Sequence, residues 1–173
     1  MRIREAIETI NKMQADRIID RYAIGGAVGA TFYLEPVTTL DVDVFVELHA
    51  ALGSTIISPK PIFDYLTSRG CKTEGEYIVI AGWPVQFLPP VNDLVREALD
   101  QAVEKDADGL RTRVFTAEHM AAIALETGRA KDKARVLQFI EADVLDMKKF
   151  QSVLARHALV DRWQQFKQQF LES

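Results

Sequence analysis

The chain has 173 residues, 48% of them hydrophobic, and a formal net charge of −4 at pH 7. That is enough apolar material for one cored domain, or for one domain with a small helical annex. The acidic balance argues against a protein that coats nucleic acid over its whole surface. A single cysteine, Cys71, leaves no internal disulfide and suits a reducing cytoplasm. No apolar run reaches membrane-spanning length, and the N-terminus lacks the apolar core of a signal peptide. The expected setting is therefore cytoplasmic, away from membranes.

In chain order, Ile3, Ile7, Ile10, Met13 and Ile18 recur at helical spacing and predict an amphipathic helix over 2–20. Tyr22-Ala23-Ile24 reads as a short apolar strand. Gly25-Gly26 opens a turn, and a small-residue helix is expected over 27–34, ending before Pro36. Residues 39–48 read as a second strand. A helix follows over 61–68, closed by Arg69-Gly70. Alternation on either side of Gly82 predicts a hairpin of strands 76–81 and 83–88. Asn92 or Asp93 caps a helix running to about Glu104. Residues 112–115 form a last strand. Thr116 is a good N-cap for a helix over 117–126. Gly128 separates that helix from one over 131–145, and a terminal helix is expected over 147–170.

The chemistry gathers on the second strand, Leu40-Asp41-Val42-Asp43-Val44-Phe45-Val46. Side chains of a strand alternate between faces, so Asp41 and Asp43 point one way and Val42, Val44 and Val46 the other. Two anions about 7 Å apart along one strand repel each other, and a cation relieves that repulsion. Oxygen ligands suit Mg²⁺ (or Mn²⁺), which accepts one or two carboxylates and completes its octahedron with water and substrate phosphates. The Gly25-Gly26 turn lets backbone approach a ligand, and the helix after it presents free N–H groups to phosphate. Phosphate donors followed by a paired-carboxylate strand is the layout of metal-assisted phosphoryl or nucleotidyl transfer.

On these residues the chain resembles the nucleotidyltransferase superfamily of the DNA-polymerase-β type, through Gly25-Gly26-Ala27 and Thr39-Leu40-Asp41-Val42-Asp43-Val44. A later stretch, Thr127-Gly128-Arg129-Ala130-Lys131-Asp132-Lys133-Ala134-Arg135, is similar to the Gly-Arg-x-Lys-Asp helix of AbiEii-type nucleotidyltransferase toxins of type IV toxin–antitoxin systems. The resemblance spans 22–140, roughly two-thirds of the chain. The elements in chain order predict an α+β fold, a mixed sheet core of four or five strands with flanking helices over 1–112 and a C-terminal helical subdomain over 113–173, and the resemblance makes that core a nucleotidyltransferase one. It also implies a nucleoside triphosphate substrate, an RNA or protein acceptor and an antitoxin partner. Asp41 and Asp43 would be catalytic and bind the metal. Gly25, Gly26, Thr39, Arg129 and Lys131 would bind nucleotide, with Lys131 also catalytic.

One departure stands out. The superfamily usually takes a third carboxylate from a later strand, and here that place holds Gln86, which is neutral and cannot act as a base. Asp93 could substitute only by folding back; its plainer reading is a helix N-terminal residue. Three readings therefore stand. One is a metal-dependent nucleotidyltransferase. One is a catalytically silent relative that binds nucleotide or a partner. The last is an interaction module whose aspartates are surface decoration. Other residues invite plainer readings. Cys71 is a small residue near a turn, and His49 belongs to a loop. His119 and His157 lack partners at catalytic or metal-ligand spacing. Trp83 packs on the core, and Trp163, Phe166 and Phe170 form a buried helix face or a dimer contact.

Overall fold

The structure is a computed structural model and describes residues 3–36, 38, 41–48 and 58–172. Thr39, Leu40 and His49, singled out above, lie outside the described residues. In chain order the elements are α1 (Ile3–Ala15), β1 (Tyr22–Ile24), α2 (Gly26–Ala30), β2 (Val42–Val46) and α3 (Lys60–Thr67). Next come β3 (Lys72–Glu74), β4 (Tyr77–Ile80), β5 (Trp83–Leu88), α4 (Asp93–Asp100), β6 (Val103–Ala107) and β7 (Leu110–Val114). Four helices close the chain: α5 (Ala117–Thr127), α6 (Ala130–Glu141), α7 (Met147–Arg156) and α8 (Val160–Phe170). No helix among the described residues is long and apolar enough to cross a membrane.

Among the described residues the strands form one seven-stranded mixed sheet, ordered β3-β4-β5-β2-β1-β7-β6. β2 runs parallel to β5 and antiparallel to β1, and β1 runs parallel to β7. The fold class is the expected α+β one, with two more strands than the upper expectation. β3 was missed because Lys72, Thr73 and Glu74 are all exposed and carry no apolar alternation. β6 differs from the expectation, which carries the preceding helix on through Val103-Glu104. That helix, α4, stops at Asp100, and the chain returns through a hairpin at Asp108-Gly109, with φ of 53° and 82°. Both residues at positive φ make the tight turn that matches strand twist, for which Asp-Gly is a favoured pair.

The helices also depart from expectation at their ends. α1 stops at Ala15, and Arg17 takes φ 58°. α2 is only five residues long, Gly26–Ala30, and does not run on to Leu34. The expected terminal helix is two, α7 and α8, broken at Ala158 with φ 55°. Asn92 settles the cap of α4: its side chain accepts from the Val95 amide at 2.9 Å. Thr116 caps α5 by accepting from the His119 amide at 3.2 Å.

The sheet separates two apolar cores. Ile7, Ile10 and Met13 of α1 and Ile62 and Leu66 of α3 pack on one face against Val42, Val44, Val46, Ile78 and Ile80. Each such side chain, once buried, contributes roughly 1.5–3 kcal/mol. On the other face α4 packs together with α5 to α8, through Leu94, Leu99, Phe139, Phe150 and Trp163. Trp83 packs partly buried against the first core. Trp163 and Phe166 are buried, whereas Phe170 is 39% exposed.

Candidate active site

Strand β2 carries the site because its alternation is strict. Val42, Val44 and Val46 are buried, and Asp43 and Phe45 between them are partly exposed. Asp43 and Phe45 therefore project to the face that α5 and α6 partly cover. There a cavity of about 310 Å³ opens, with Gly26, Asp41, Asp43 and Gln86 on the sheet side and Arg129, Lys131 and Arg135 on the α6 side. Phe45, Phe115, Met120 and Ile123 give it an apolar wall. Parallel pairing sets Gln86 of β5 directly beside Asp43 of β2.

The glycine turn is shaped around Asp43. The Gly25 amide donates to the Asp43 carbonyl at 3.1 Å, which extends the β1–β2 pairing into the turn. Gly26 takes φ +58°, and a Cβ built there would lie 2.2 Å from Asp43 Oδ2. A Cβ on Gly25 would meet the Phe45 ring at 2.7 Å. Gly26 lines the cavity, whereas Gly25 sits under the packed rings of Phe45 and Phe115, 4.7 Å apart. The glycines thus have a packing reason that the sequence reading did not contain. The helix they open is too short for a sizeable dipole.

Electrostatics tie the two walls together. Burial pushes the Asp43 carboxyl above the usual carboxylate range, and Asp41 pushes it further; Arg135, then Lys131 and Arg129, oppose the rise. Arg129 is not a loose cation. Its Nε and Nη2 donate to the two oxygens of Asp132 at 2.7 and 3.2 Å. Asp132 is 3% exposed and also accepts from the Arg129 amide, capping α6. Lys131, one turn before Arg135, is exposed at the cavity edge.

The structure therefore brings Gly26, Asp41, Asp43, Arg129 and Lys131 to one cavity, with Gly25 just behind it. Asp93 opens α4 away from the cavity lining. Three residues escaped the sequence reading as parts of the site. Arg135 was visible as the i+4 neighbour of Lys131. Glu76 and Tyr77 were not, because only strand pairing brings them near. The Tyr77 hydroxyl is pushed above the usual phenol range, first by the Asp41 charge. Gln86 Nε2 donates to Glu76 Oε2 at 3.0 Å.

The donor set fits Mg²⁺ or Mn²⁺ in kind. Asp43 on β2 and Asp41, one residue before the strand, line the same cavity, and the raised Asp43 carboxyl marks an anionic pair that a cation would relieve. Two carboxylates suffice for Mg²⁺ when substrate phosphates and water complete the sphere. Among the described residues no group of three His, Cys, Asp or Glu side chains closes to metal-binding distance.

The histidines form a separate cluster. His119 is 2% exposed; its Nε2 lies 2.8 Å from Glu97 Oε2 and its Nδ1 2.7 Å from Thr116 Oγ1. Arg156 Nε donates to Glu97 Oε1 at 2.8 Å, and His157 Nε2 approaches Glu97 Oε2 to 3.2 Å without an aligned hydrogen bond. Sequence spacing hid these partners, since they come from α4, α5 and α7.

No protein-family model matches the chain, and no curated protein matches it. Solved structures do. The crystal structure of an antigenic nucleotidyltransferase-like protein from Paracoccidioides brasiliensis is similar over 91% of this chain and 89% of its own, with a TM-score of 0.57 and 14% identity. The solution structure of the antibiotic-resistance factor ANT(2'')-Ia, a protein with substrate-regulated conformation dynamics, is similar over 94% of both chains, with a TM-score of 0.53 and 14% identity. At that identity the likeness is one of fold, and the fold is nucleotidyltransferase-like.

Proposed function

We propose that the protein is a metal-dependent nucleotidyltransferase that moves a nucleoside monophosphate from a nucleoside triphosphate to a hydroxyl of an RNA or protein acceptor. The observation that carries this reading is one cavity with Asp41 and Asp43 on the sheet side and Lys131 and Arg135 facing them from α6. Mg²⁺ or Mn²⁺ held by Asp41 and Asp43 would neutralise phosphate charge and orient the triphosphate. Lys131 and Arg135 would stabilise the charge that grows on the leaving phosphates. Arg129, fixed by Asp132, would offer its exposed edge to a phosphate oxygen. Phe45, Phe115 and Met120 would give the base an apolar wall. Gly26 would let the nucleotide approach beside Asp43.

A silent, nucleotide-binding relative is the second reading, and Gln86 beside Asp43 favours it. A toxin role with an antitoxin partner rests on the similarity of the Gly128-Arg129-Ala130-Lys131-Asp132 helix start. It predicts growth arrest on expression. The decisive assay incubates the protein with each α-labelled nucleoside triphosphate, Mg²⁺ or Mn²⁺, and total RNA and protein. Transfer by the wild type, lost in Asp41→Ala and Asp43→Ala, is the expected result. Triphosphate binding without transfer would instead favour the silent reading.

A further inference from the structure

Nucleotidyl transfer to a hydroxyl needs a group that takes the acceptor's proton. Gln86 cannot, because an amide has no basic site near neutral pH. Asp41 and Asp43 are occupied by the role just given them. A further carboxylate lies one side chain beyond Gln86.

The sheet register explains how it gets there. β4 and β5 pair Ile78 with Val85, so Tyr77 falls opposite Gln86. β5 and β2 pair Gln86 with Asp43. Tyr77, Gln86 and Asp43 thus form a row across three strands on the cavity face, with neighbours about 4.8 Å apart. Ile78, Val85 and Val44 face the opposite core. The β3–β4 turn, Gly75-Glu76, delivers Glu76 at the end of this row, where its carboxylate accepts from Gln86 Nε2 at 3.0 Å. That bond also assigns the amide its orientation and leaves the Gln86 oxygen as an acceptor. Tyr77, the next residue, lies close enough to feel the Asp41 charge. The turn and the first residue of β4 therefore border the site, Glu76 through Gln86 and Tyr77 through the Asp41 charge.

We propose that Glu76 is the general base of the transfer, held at the acceptor side of the cavity by Gln86. The inference rests on the nucleotidyltransferase reading above. The acceptor oxygen forms a bond to the α-phosphorus, and the bond from that phosphorus to the bridging oxygen of pyrophosphate breaks. The acceptor proton passes to a Glu76 carboxylate oxygen and then to water. Pyrophosphate leaves with the electron pair. Gln86 is a positioning residue in this scheme, and the carboxylate is supplied by the neighbouring turn in place of its own strand.

The test compares wild type, Asp43→Ala, Glu76→Gln, and the swap Glu76→Gln with Gln86→Glu, in the labelled-triphosphate assay under turnover. Glu76 is exposed in a turn, so the variants should fold, and thermal melts check this. A positioned base contributes on the order of 100-fold or more, so Glu76→Gln should lower kcat about 100-fold. Its KM for triphosphate should stay within about threefold, because the base acts on the acceptor. The swap, which returns a carboxylate to the same row, should recover at least about tenfold over Glu76→Gln. Transfer lost in Asp43→Ala but kept in Glu76→Gln would overturn the role of Glu76 alone. So would a raised KM at unchanged kcat, or a swap no faster than Glu76→Gln. Transfer that survives Asp43→Ala would overturn the parent reading of the metal site. No transfer by the wild type would sink both.

Discussion

The tightest constraint at the site falls on Gly26. Its φ of +58° disfavours any L side chain, and its missing Cβ leaves room for Asp43 Oδ2 at 2.2 Å. Gly70, at φ +86° with open space around it, shares the first cost and not the second. Gly70→Ala should therefore lose about 1 kcal/mol from backbone strain. Gly26→Ala should lose about 1–2 kcal/mol more and should also weaken Mg²⁺-dependent triphosphate binding. Paired thermal melts and binding titrations read both numbers. Equal losses in the two variants would show that Asp43 yields without cost. The aspartates, the glycine pair, Lys131 and Arg129 were all legible in the sequence, since each belongs to a motif of adjacent residues. The reason for the glycines was not, because their contact is with a side chain one strand away. Glu76 and Tyr77 were illegible for the same cause: their neighbours are set by register, and register is not a local property.

Between elements, Glu97 clamps α4 to α5 and α7. Its hydrogen bonds with Arg156 and His119, and the close approach of His157, pull its carboxyl down from 4.5 to about 2. Burial pushes the His119 imidazole below its usual value of 6.5 despite Glu97, with Arg156 helping and Glu118 opposing. The signs agree. The unfolded imidazole takes up a proton below pH 6.5 that the folded one resists, so stability falls as pH drops through that range. The low Glu97 value adds stability that is full above pH 4.5 and lost as pH falls towards 2. Melting temperature should thus decline from pH 7 downwards. Glu97→Gln should melt lower at pH 7 and lose the steepest part of the acid limb. A pH-independent wild type would contradict the burial of neutral His119. Most elements were legible from periodicity and caps, including the hairpin at Gly82 and the Thr116 cap. The β6–β7 hairpin was legible too, in Asp108-Gly109, but the apolar spacing of α4 masked it by carrying the helix too far. The break at Ala158 has no such mark, since alanine favours the helix it ends.

Over the whole molecule, charge is apportioned between the two walls of one cleft. The sheet side contributes Asp41 and Asp43, and the α6 side Arg129, Lys131 and Arg135, with Asp132 paired to Arg129, although the net charge is −4. A triphosphate entering the cleft would meet Arg135, the cation that acts most strongly on Asp43. Arg135→Ala should weaken triphosphate binding about tenfold, or roughly 1.4 kcal/mol, with a shallower salt dependence than the wild type. Isothermal titration at two ionic strengths checks it. Unchanged affinity and salt slope would move Arg135 out of the binding set. The α+β class was legible in the sequence, because strand and helix signals alternate along the chain. The pairing of α4 with the last four helices in one core was not, since nothing local in Leu94 or Leu99 says which face of the sheet they cover.

Strand β2 has one further consequence, and it concerns inheritance. Its valines seal a dry core while Asp43 and Phe45 between them line a wet cavity, residue by residue. Losing or gaining a single codon within it would exchange the two sets, sending Asp43 and Phe45 inward and valines outward. Point substitutions can tune this strand gradually. Changes of length within it can survive only in steps of two.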